Sequence, residues 1–250
     1  MKIAVYVEGQ AELIFVRELL LKWFQYDSAR IGLKCYNLHG EEPPGHETDY
    51  SFGNPDSENY YIIINVGNDA SVLSKALDNA QRHKNTGFTR IVALRDMYCD
   101  NYHRFAYDAG KPRTIISELN NRFINGARES IDRKSHSCFV YICFAIMEIE
   151  AWLLGMGWFL ERIDSRLSQN FLKDTIGYDL DKDVETTEYH PACMLDNIYK
   201  TIGLRYDKHS SDVNSIMGNL DLSDFQMLLC MPKCDSFKRF VACLTEATAE

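Results

Sequence analysis

The alternation of short apolar runs with helical patterns over residues 1–150 constrains this chain more than any other feature. Runs rich in valine, isoleucine and aromatic residues predict buried strands at 2–7, 33–38, 60–66, 90–95 and 138–146. Helical spacing or helix-start signals predict helices at 11–23, 70–83 and 112–130, the last with Pro112 in its first turn. Strands that alternate with helices are typical of an α/β fold, and here they predict a mostly parallel, doubly wound sheet flanked by helices.

The pattern changes after residue 150. From Ala151 onward we predict helical segments separated by the acidic stretch 174–188, with Pro191 opening one helix and 237–245 lying in the last. We therefore predict an α/β core at 1–150 and a helical C-terminal region at 151–250 that packs on it. The stretch 39–59, rich in proline and glycine, predicts a long loop within the core.

The charge balance limits the kind of partner. A net charge of −9 and a pI near 5.3 argue against a protein that grips nucleic acid with its whole surface. Basic residues gather locally, for example Lys111 with Arg113. Any contact with nucleic acid is therefore expected at local basic patches.

Cysteine usage and the N-terminal segment predict the compartment. Most of the eight cysteines sit among apolar residues in a chain of 250 residues, which favours reduced core thiols over a disulfide framework. Glu8 falls where a signal peptide would continue its apolar stretch, and the uncharged run 138–147 is too short to span a bilayer. We expect a cytoplasmic protein with no membrane segment.

Three predicted strands run into a carboxylate, namely Glu8, Asp96 and Glu148. In a parallel sheet these strand ends share one edge, which is where open α/β sheets place their ligands. Crowded carboxylates repel one another unless protons or a cation compensate, and oxygen ligands without His or Cys favour Mg²⁺ or Mn²⁺. The sequence therefore predicts a site for a hard divalent metal.

Two further acids are candidate ligands. Glu12 would lie near Glu8 if the first helix begins early, and Glu150 would share a face with Glu148 only in an extended segment. A competing interpretation is that an acid after a strand simply caps the next helix and stabilises its dipole. Both interpretations stay open at this level.

Several familiar signatures are absent from the sequence. It has no GxxxxGK[ST] phosphate loop, no GxGxxG turn, no HExxH and no GxSxG. A Rossmann-like enzyme for small phosphorylated metabolites would share the sheet edge but needs a glycine-rich phosphate loop, so it ranks last among the functions considered.

The segment Val7-Glu8-Gly9-Gln10-Ala11-Glu12 resembles the start of Toprim-type domains and, more narrowly, the bacterial family called domain of unknown function 4276. Further stretches agree in order along the chain: Asp96-Met97-Tyr98, Glu148 to Leu154, His190-Pro191, Tyr199-Lys200 and Cys234 to Phe237. The resemblance implies a Toprim-like core.

In Toprim domains a Glu after the first strand and an Asp pair after a later one hold magnesium, which implies roles for Glu8 and Asp96. The second Asp of that pair would fall at Tyr98, so only Asp100 could replace it. The resemblance implies a magnesium-dependent nuclease, used in bacterial defence beside a partner ATPase. Glu8, Asp96 and Glu148 are then the expected catalytic residues.

The other expected roles follow from the same hypothesis. The expected metal ligands are Glu8, Glu12, Asp96, Asp100 and Glu150, and the expected contacts to the substrate backbone are Lys111, Arg113 and Lys208. The alternative hypothesis is a non-catalytic Toprim-like module that binds a nucleotide, a nucleic-acid end or a partner ATPase, which the missing second Asp favours.

Overall fold

Among the residues that the computed structural model describes, 1–38 and 44–245, six strands form one sheet. The strands are β1 (Lys2–Val7), β2 (Ile31–Asn37), β3 (His46–Glu47), β4 (Asn59–Asn65), β5 (Arg90–Asp96) and β6 (Val140–Ala145). Their hydrogen-bonded order is β3-β2-β4-β1-β5-β6. The five predicted strands are confirmed with small shifts at their ends. Short β3 lies inside the predicted loop 39–59, of which residues 39–43 fall outside the described residues.

The sheet is mostly parallel, as predicted. Strand β1 is parallel to both β4 and β5, β2 is parallel to β4, and only β3 pairs antiparallel, with β2. Strand β6 runs parallel to β5. Two backbone hydrogen bonds show this, because Ile91 N to Phe139 O and Met97 N to Ala145 O join residues with the same difference in number. Parallel pairing places the carboxyl ends of these strands at one edge of the sheet.

Strand β1 is buried on both faces, since residues 3–7 are each 0% exposed. Successive side chains of a strand point to opposite faces, so a continuous apolar run is what a sheet covered on both sides requires. Helix α1 (Gln10–Trp23) follows after the turn at Gly9 and buries Leu13, Phe15 and Leu20. The α/β class inferred from the sequence is confirmed.

The remaining elements are helices. In chain order they are α2 (Val72–Asp78), α3 (Ala80–Asn85), α4 (Asp100–Asp108), α5 (Ser117–Arg133), α6 (Glu150–Gly155), α7 (Leu160–Ile163), α8 (Gln169–Ile176), α9 (Val184–Thr187), α10 (Pro191–Lys200), α11 (Ser210–Gly218), α12 (Leu222–Cys230) and α13 (Asp235–Thr245). Regular structure after β6 is entirely helical within the described ranges, and Pro191 opens α10 as predicted. No described helix has the length and apolarity of a membrane span.

The predicted helix 112–130 is wrong at its start. Helix α5 begins at Ser117, and Pro112 lies in an exposed turn. Arg113 adopts a left-handed φ of 55°, a conformation that an α-helix cannot contain. The sequence interpretation also missed α4, a nine-residue helix of mostly polar composition that buries only Tyr102 and Ala106.

The chain forms two compact units, and each is discontinuous in sequence. Unit 1 comprises 1–95, 121–144 and the described part of 239–250, whereas unit 2 comprises 96–120 and 145–238. Unit 1 holds most of the sheet, and unit 2 holds α4 and most of the later helices. The sequence predicts a single boundary at residue 150, whereas the chain crosses between the two units several times. The division into two domains at residue 150 stays a prediction.

Within unit 1, the hydroxyl of Tyr6 and Nε2 of His83 are hydrogen-bonded at 2.8 Å in a buried position. Burial, with the nearby charge of Arg82, lowers the pKa of His83 from 6.5 to about 4. The imidazole is therefore neutral in the folded protein at pH 5, whereas the unfolded chain would bind a proton there. The contribution of neutral His83 to the free energy of unfolding is therefore complete above pH 6.5 and is lost as the pH falls towards 4.

We expect His83→Gln to reduce the pH dependence of stability. The native protein should lose about 2 kcal/mol of unfolding free energy between pH 7 and pH 5 because of His83. Urea unfolding at the two pH values measures this, with His46→Gln, an exposed histidine of the same unit, as the control. An unchanged pH dependence in His83→Gln would contradict the assignment.

Candidate functional site

Three buried carboxylates come together in unit 2. Asp96 ends β5, Glu148 follows β6, and Glu150 is the first residue of α6. Each offers a carboxylate oxygen, and these oxygens all lie within 4.8 Å of one another. The residues are 5%, 4% and 0% exposed, respectively. We call Asp96, Glu148 and Glu150 the carboxylate triad, and its geometry suits a bound metal ion.

The backbone beyond the two strands positions the triad. Backbone hydrogen bonding between the two segments extends past the ends of β5 and β6, with Tyr98 N donating to Met147 O at 2.7 Å. Met147 then takes a left-handed φ of 66°, and the first turn of α6 starts with Ala151 N donating to Glu148 O. Glu148 thus lies just before the helix and not within it. For this reason both glutamates reach the triad, which the sequence spacing alone left open.

The ammonium group of Lys208 pairs with every member of the triad. Its Nζ lies 2.9 Å from Glu150 Oε2, 3.1 Å from Glu148 Oε1 and 3.7 Å from Asp96 Oδ2. Glu150 Oε2 is buried and accepts no hydrogen bond of ordinary geometry among the described residues, so this ion pair is its principal contact there. When all three acids are ionised, one ammonium leaves a net charge of minus two at the site.

Glu148 is further held by the start of α10. Its Oε2 accepts a hydrogen bond from Ala192 N at 2.9 Å and lies 2.9 Å from His190 Nδ1. Burial alone would raise the pKa of this carboxyl. The hydrogen bond with His190, the charge of Lys208 and the backbone N–H outweigh burial, so the pKa of Glu148 lies below its ordinary value. The carboxyl is ionised at neutral pH, as a cation ligand must be.

Glu150 has a different partner. The hydroxyl of Tyr206 donates to Glu150 Oε1 at 2.6 Å, and both side chains are buried. The backbone N–H of Tyr206 in turn donates to Asp196 Oδ1 on α10. A fully buried carboxylate is stable only when hydrogen bonds and a cation compensate for lost hydration. Tyr206 and Lys208 provide that compensation from one short irregular segment.

A second polar network fixes α6 behind the triad. Trp152 Nε1 donates to Ser236 Oγ at 2.7 Å and to Glu185 Oε1 at 3.2 Å. Ser236 also bonds to both oxygens of Glu185, through its backbone N–H and its hydroxyl. The Trp152 ring packs on Phe237, with ring centroids 5.5 Å apart. Two of the stretches that carried the family resemblance therefore meet in space and hold the helix that bears Glu150.

Rings of tyrosine and histidine border the triad. The group, here called the aromatic cluster, consists of Tyr98, Tyr102, His103, Tyr189 and His190. Tyr98 lies 4.3 Å from His103 and 4.4 Å from His190 between ring centroids, and Tyr189 lies 5.8 Å from Tyr98. The hydroxyl of Tyr189 and His103 Nδ1 are hydrogen-bonded at 2.7 Å. Because His190 also contacts Glu148, the cluster and the triad are continuous.

The structure brings some of the predicted site residues together. Asp96, Glu148 and Glu150 form the triad, and Lys208, which was expected to bind substrate, contacts all three. Asp100 is exposed at the start of α4 and lies outside the triad. Its predicted role as a ligand stays a prediction.

The other predicted residues are not members of the triad. Lys111 and Arg113 are exposed in the turn before α5. Glu8 and Glu12 belong to unit 1, where Glu8 is partly buried after β1 and Glu12 is 5% exposed on the first turn of α1. The predicted roles of these four residues stay predictions.

Sequence reasoning missed His190 and Tyr206 as contacts of the triad. The sequence marks His190 through the His-Pro pair that contributes to the family resemblance. Proline at the first helical position predicts a helix start, and the free N–H groups there bind carboxylates. That signal could have linked 190–192 to an acid. No local pattern singles out Tyr206, since its partner is 56 residues away.

The comparisons with known proteins are consistent with one family. The model of the family described as Domain of unknown function (DUF4276) matches residues 7–245. That range contains the triad, Lys208 and the aromatic cluster. No curated protein and no solved structure matches the chain.

We expect Lys208→Met to lower the unfolding free energy by about 2 kcal/mol at pH 7, since it leaves buried carboxylates without their cation. The loss should shrink as the pH falls, because protonation removes the repulsion. Urea unfolding between pH 7 and pH 4 measures both effects.

Lys200→Met is the matched control, because Lys200 is exposed and pairs with Asp196 at the surface. It should change stability by less than about 1 kcal/mol. Equal losses in the two variants would show that the contact between Lys208 and the triad is worth no more than a surface ion pair.

Proposed function

The chain belongs to the DUF4276 family, and we propose that it is a metal-dependent hydrolase that cleaves phosphodiester bonds of nucleic acid. The observation that carries the proposal is the carboxylate triad, three buried acids whose oxygens lie within 4.8 Å of one another. Structural acids at helix starts have no reason to converge from two strands and a helix. Buried ionisable groups with perturbed pKa values are concentrated at functional sites, and the pKa of Glu148 is lowered here.

The donor set fits Mg²⁺ or Mn²⁺. All three candidate ligands are carboxylate oxygens, and the triad itself contains no sulfur and no imidazole nitrogen. Hard divalent cations prefer such ligands, whereas zinc favours His and Cys. The charge of minus two that remains beside Lys208 is what one divalent cation would balance. Asp96, Glu148 and Glu150 would hold the ion.

A divalent cation there would act as a Lewis acid towards a phosphate oxygen and lower the pKa of water. The residues of the chain do the rest. Lys208 can turn its ammonium from the carboxylates to a phosphate oxygen, since its side chain is 32% exposed. Tyr206 keeps Glu150 in place, and Ala192 N–H keeps Glu148 in place.

His190 is the residue best placed to move a proton. Its Nδ1 is tied to Glu148, an arrangement that orients the ring as a carboxylate orients a catalytic histidine. The side chain is 43% exposed, so Nε2 can exchange a proton with water or with a leaving oxygen. Glu148, with its lowered pKa, is better suited to bind a cation than to accept a proton.

The Toprim-like part of the proposal rests on the resemblance. Asp96 at the end of β5 agrees with it, whereas Tyr98 stands where the second Asp belongs. Glu148 and Glu150 supply additional carboxylates from the segment after β6. A role in bacterial defence and an ATPase partner follow from the resemblance alone.

The alternative is a non-catalytic module in which Lys208 is a permanent structural counter-ion. The specific observation that favours it is that the ammonium already pairs with all three acids. The two functions differ in whether a metal ion binds at the triad, either in place of Lys208 or beside it. Metal binding therefore separates them.

Under the proposal, the protein binds Mn²⁺ and cleaves labelled oligonucleotides only in its presence. Asp96→Asn and Glu148→Gln should each weaken metal binding and reduce cleavage at least about 100-fold, because each removes an anionic ligand. Calorimetric titration with Mn²⁺ and a gel-based cleavage assay measure the two effects, with circular dichroism to verify folding.

Asp174→Asn, an exposed acid of α8, is the control and should behave like the native protein. Glu8→Gln, assayed in parallel, tests the role that the sequence predicts for this residue. If the native protein binds no Mn²⁺ or Mg²⁺, or if cleavage persists in both triad variants, the hydrolase proposal fails.

A further inference from the structure

The aromatic cluster is not explained by packing alone. Tyr102 is fully buried and anchored, with its hydroxyl 2.7 Å from Asn120 Oδ1. Tyr98, His103 and Tyr189 are only partly buried, and His190 is exposed. Rings that merely fill a core have little reason to remain accessible, and three of these four carry hydrogen bonds that fix their orientation. The cluster is a preformed surface of aromatic rings.

The aromatic cluster lies directly beside the triad. The ring of His190 lies 4.4 Å from that of Tyr98, while its Nδ1 lies 2.9 Å from Glu148 Oε2. A ligand that stacks on the cluster therefore has its next chemical group beside Lys208 and the carboxylates. In a nucleotide that next group is the sugar and its phosphate.

Positive charge accompanies the cluster. Burial raises the pKa of Tyr98 and of Tyr189; the charge of Glu148 adds to the shift at Tyr98, and the guanidinium of Arg113 opposes the shift at both phenols. Arg113 is itself exposed. A phosphate approaching the negative triad needs a nearby cation, and Lys208, which contacts all three acids, provides one.

From these observations, and resting on the proposed function, we propose that the aromatic cluster is a stacking subsite for an unpaired nucleobase. The substrate class is then single-stranded nucleic acid, or a duplex end or loop with an unstacked base. Bases within a duplex are stacked on one another and offer no free face to a protein ring. A base of any identity has a π face, so the subsite should tolerate different sequences.

Binding measured without metal tests the subsite separately from hydrolysis. The probes are fluorescein-labelled single strands of 12 nucleotides, namely oligothymidylate, oligouridylate and an abasic analogue, together with a duplex of the same length. All are measured in EDTA, which removes divalent metal ions. Fluorescence anisotropy should show tighter binding of both base-bearing single strands than of the abasic strand and the duplex. Competition with free thymidine monophosphate distinguishes a strand site from a mononucleotide site.

Two substitutions remove rings from the cluster. Tyr98→Ala and Tyr189→Ala should each weaken binding of oligothymidylate on the order of tenfold, because base–aromatic stacking is lost. Tyr98→Phe keeps the ring and should bind within about twofold of the native protein. Tyr107→Ala is the matched control, since Tyr107 is a 74% exposed tyrosine on α4 outside the cluster.

The outcomes are separable. Equal affinity for base-bearing and abasic strands, no binding of any strand, or native affinity in both alanine variants would overturn the subsite. A preference for free monophosphate over strands would overturn the strand assignment. Ring-dependent binding without cleavage in Mn²⁺ would support the subsite and refute the hydrolase, whereas cleavage with no base dependence would do the reverse.

Discussion

The pairing of one ammonium with three buried carboxylates is the interaction on which this site depends. Each carboxylate loses most of its hydration, and at these distances the acids repel one another strongly. Lys208 offsets part of that repulsion, and hydrogen bonds from Tyr206 and from the start of α10 offset more. The compensation is incomplete in charge. When all three acids are ionised, the triad could therefore hold a metal ion in addition to Lys208.

Several different features of local backbone structure bring these groups together. A strand end places Asp96, a left-handed residue before a helix places Glu148 and Glu150, and a helix N-terminus anchors Glu148. Lys208 itself has a left-handed φ of 57° in an irregular segment. The hydrogen-bonded network of Trp152 holds α6 from behind. Because these features belong to different segments of the chain, the distances between the acids depend on how the whole unit packs.

His190 of the aromatic cluster contacts Glu148 of the triad, so the proposed base-binding and hydrolytic parts of the site would be physically linked. A ligand that carries both an aromatic base and a phosphate matches both parts of the site. A small phosphorylated metabolite without a ring would match only the charged part. This difference, together with the absence of a glycine-rich phosphate loop, is the reason that we propose nucleic acid and not such metabolites as the ligand.

The sequence by itself determined the α/β class, the five main strands, the helical character after β6 and two acids of the triad, Asp96 and Glu148; it left the place of Glu150 open. These follow from apolar periodicity and from carboxylates at strand ends, which are local signals. It misplaced the start of α5, because Pro112 suits both a first helical turn and an ordinary turn. Only the tertiary structure decided that Lys208 faces the acids and that His190 and Tyr206 hold them. Those partners are 42 to 60 residues from their glutamates, and no local pattern encodes contacts at such separations.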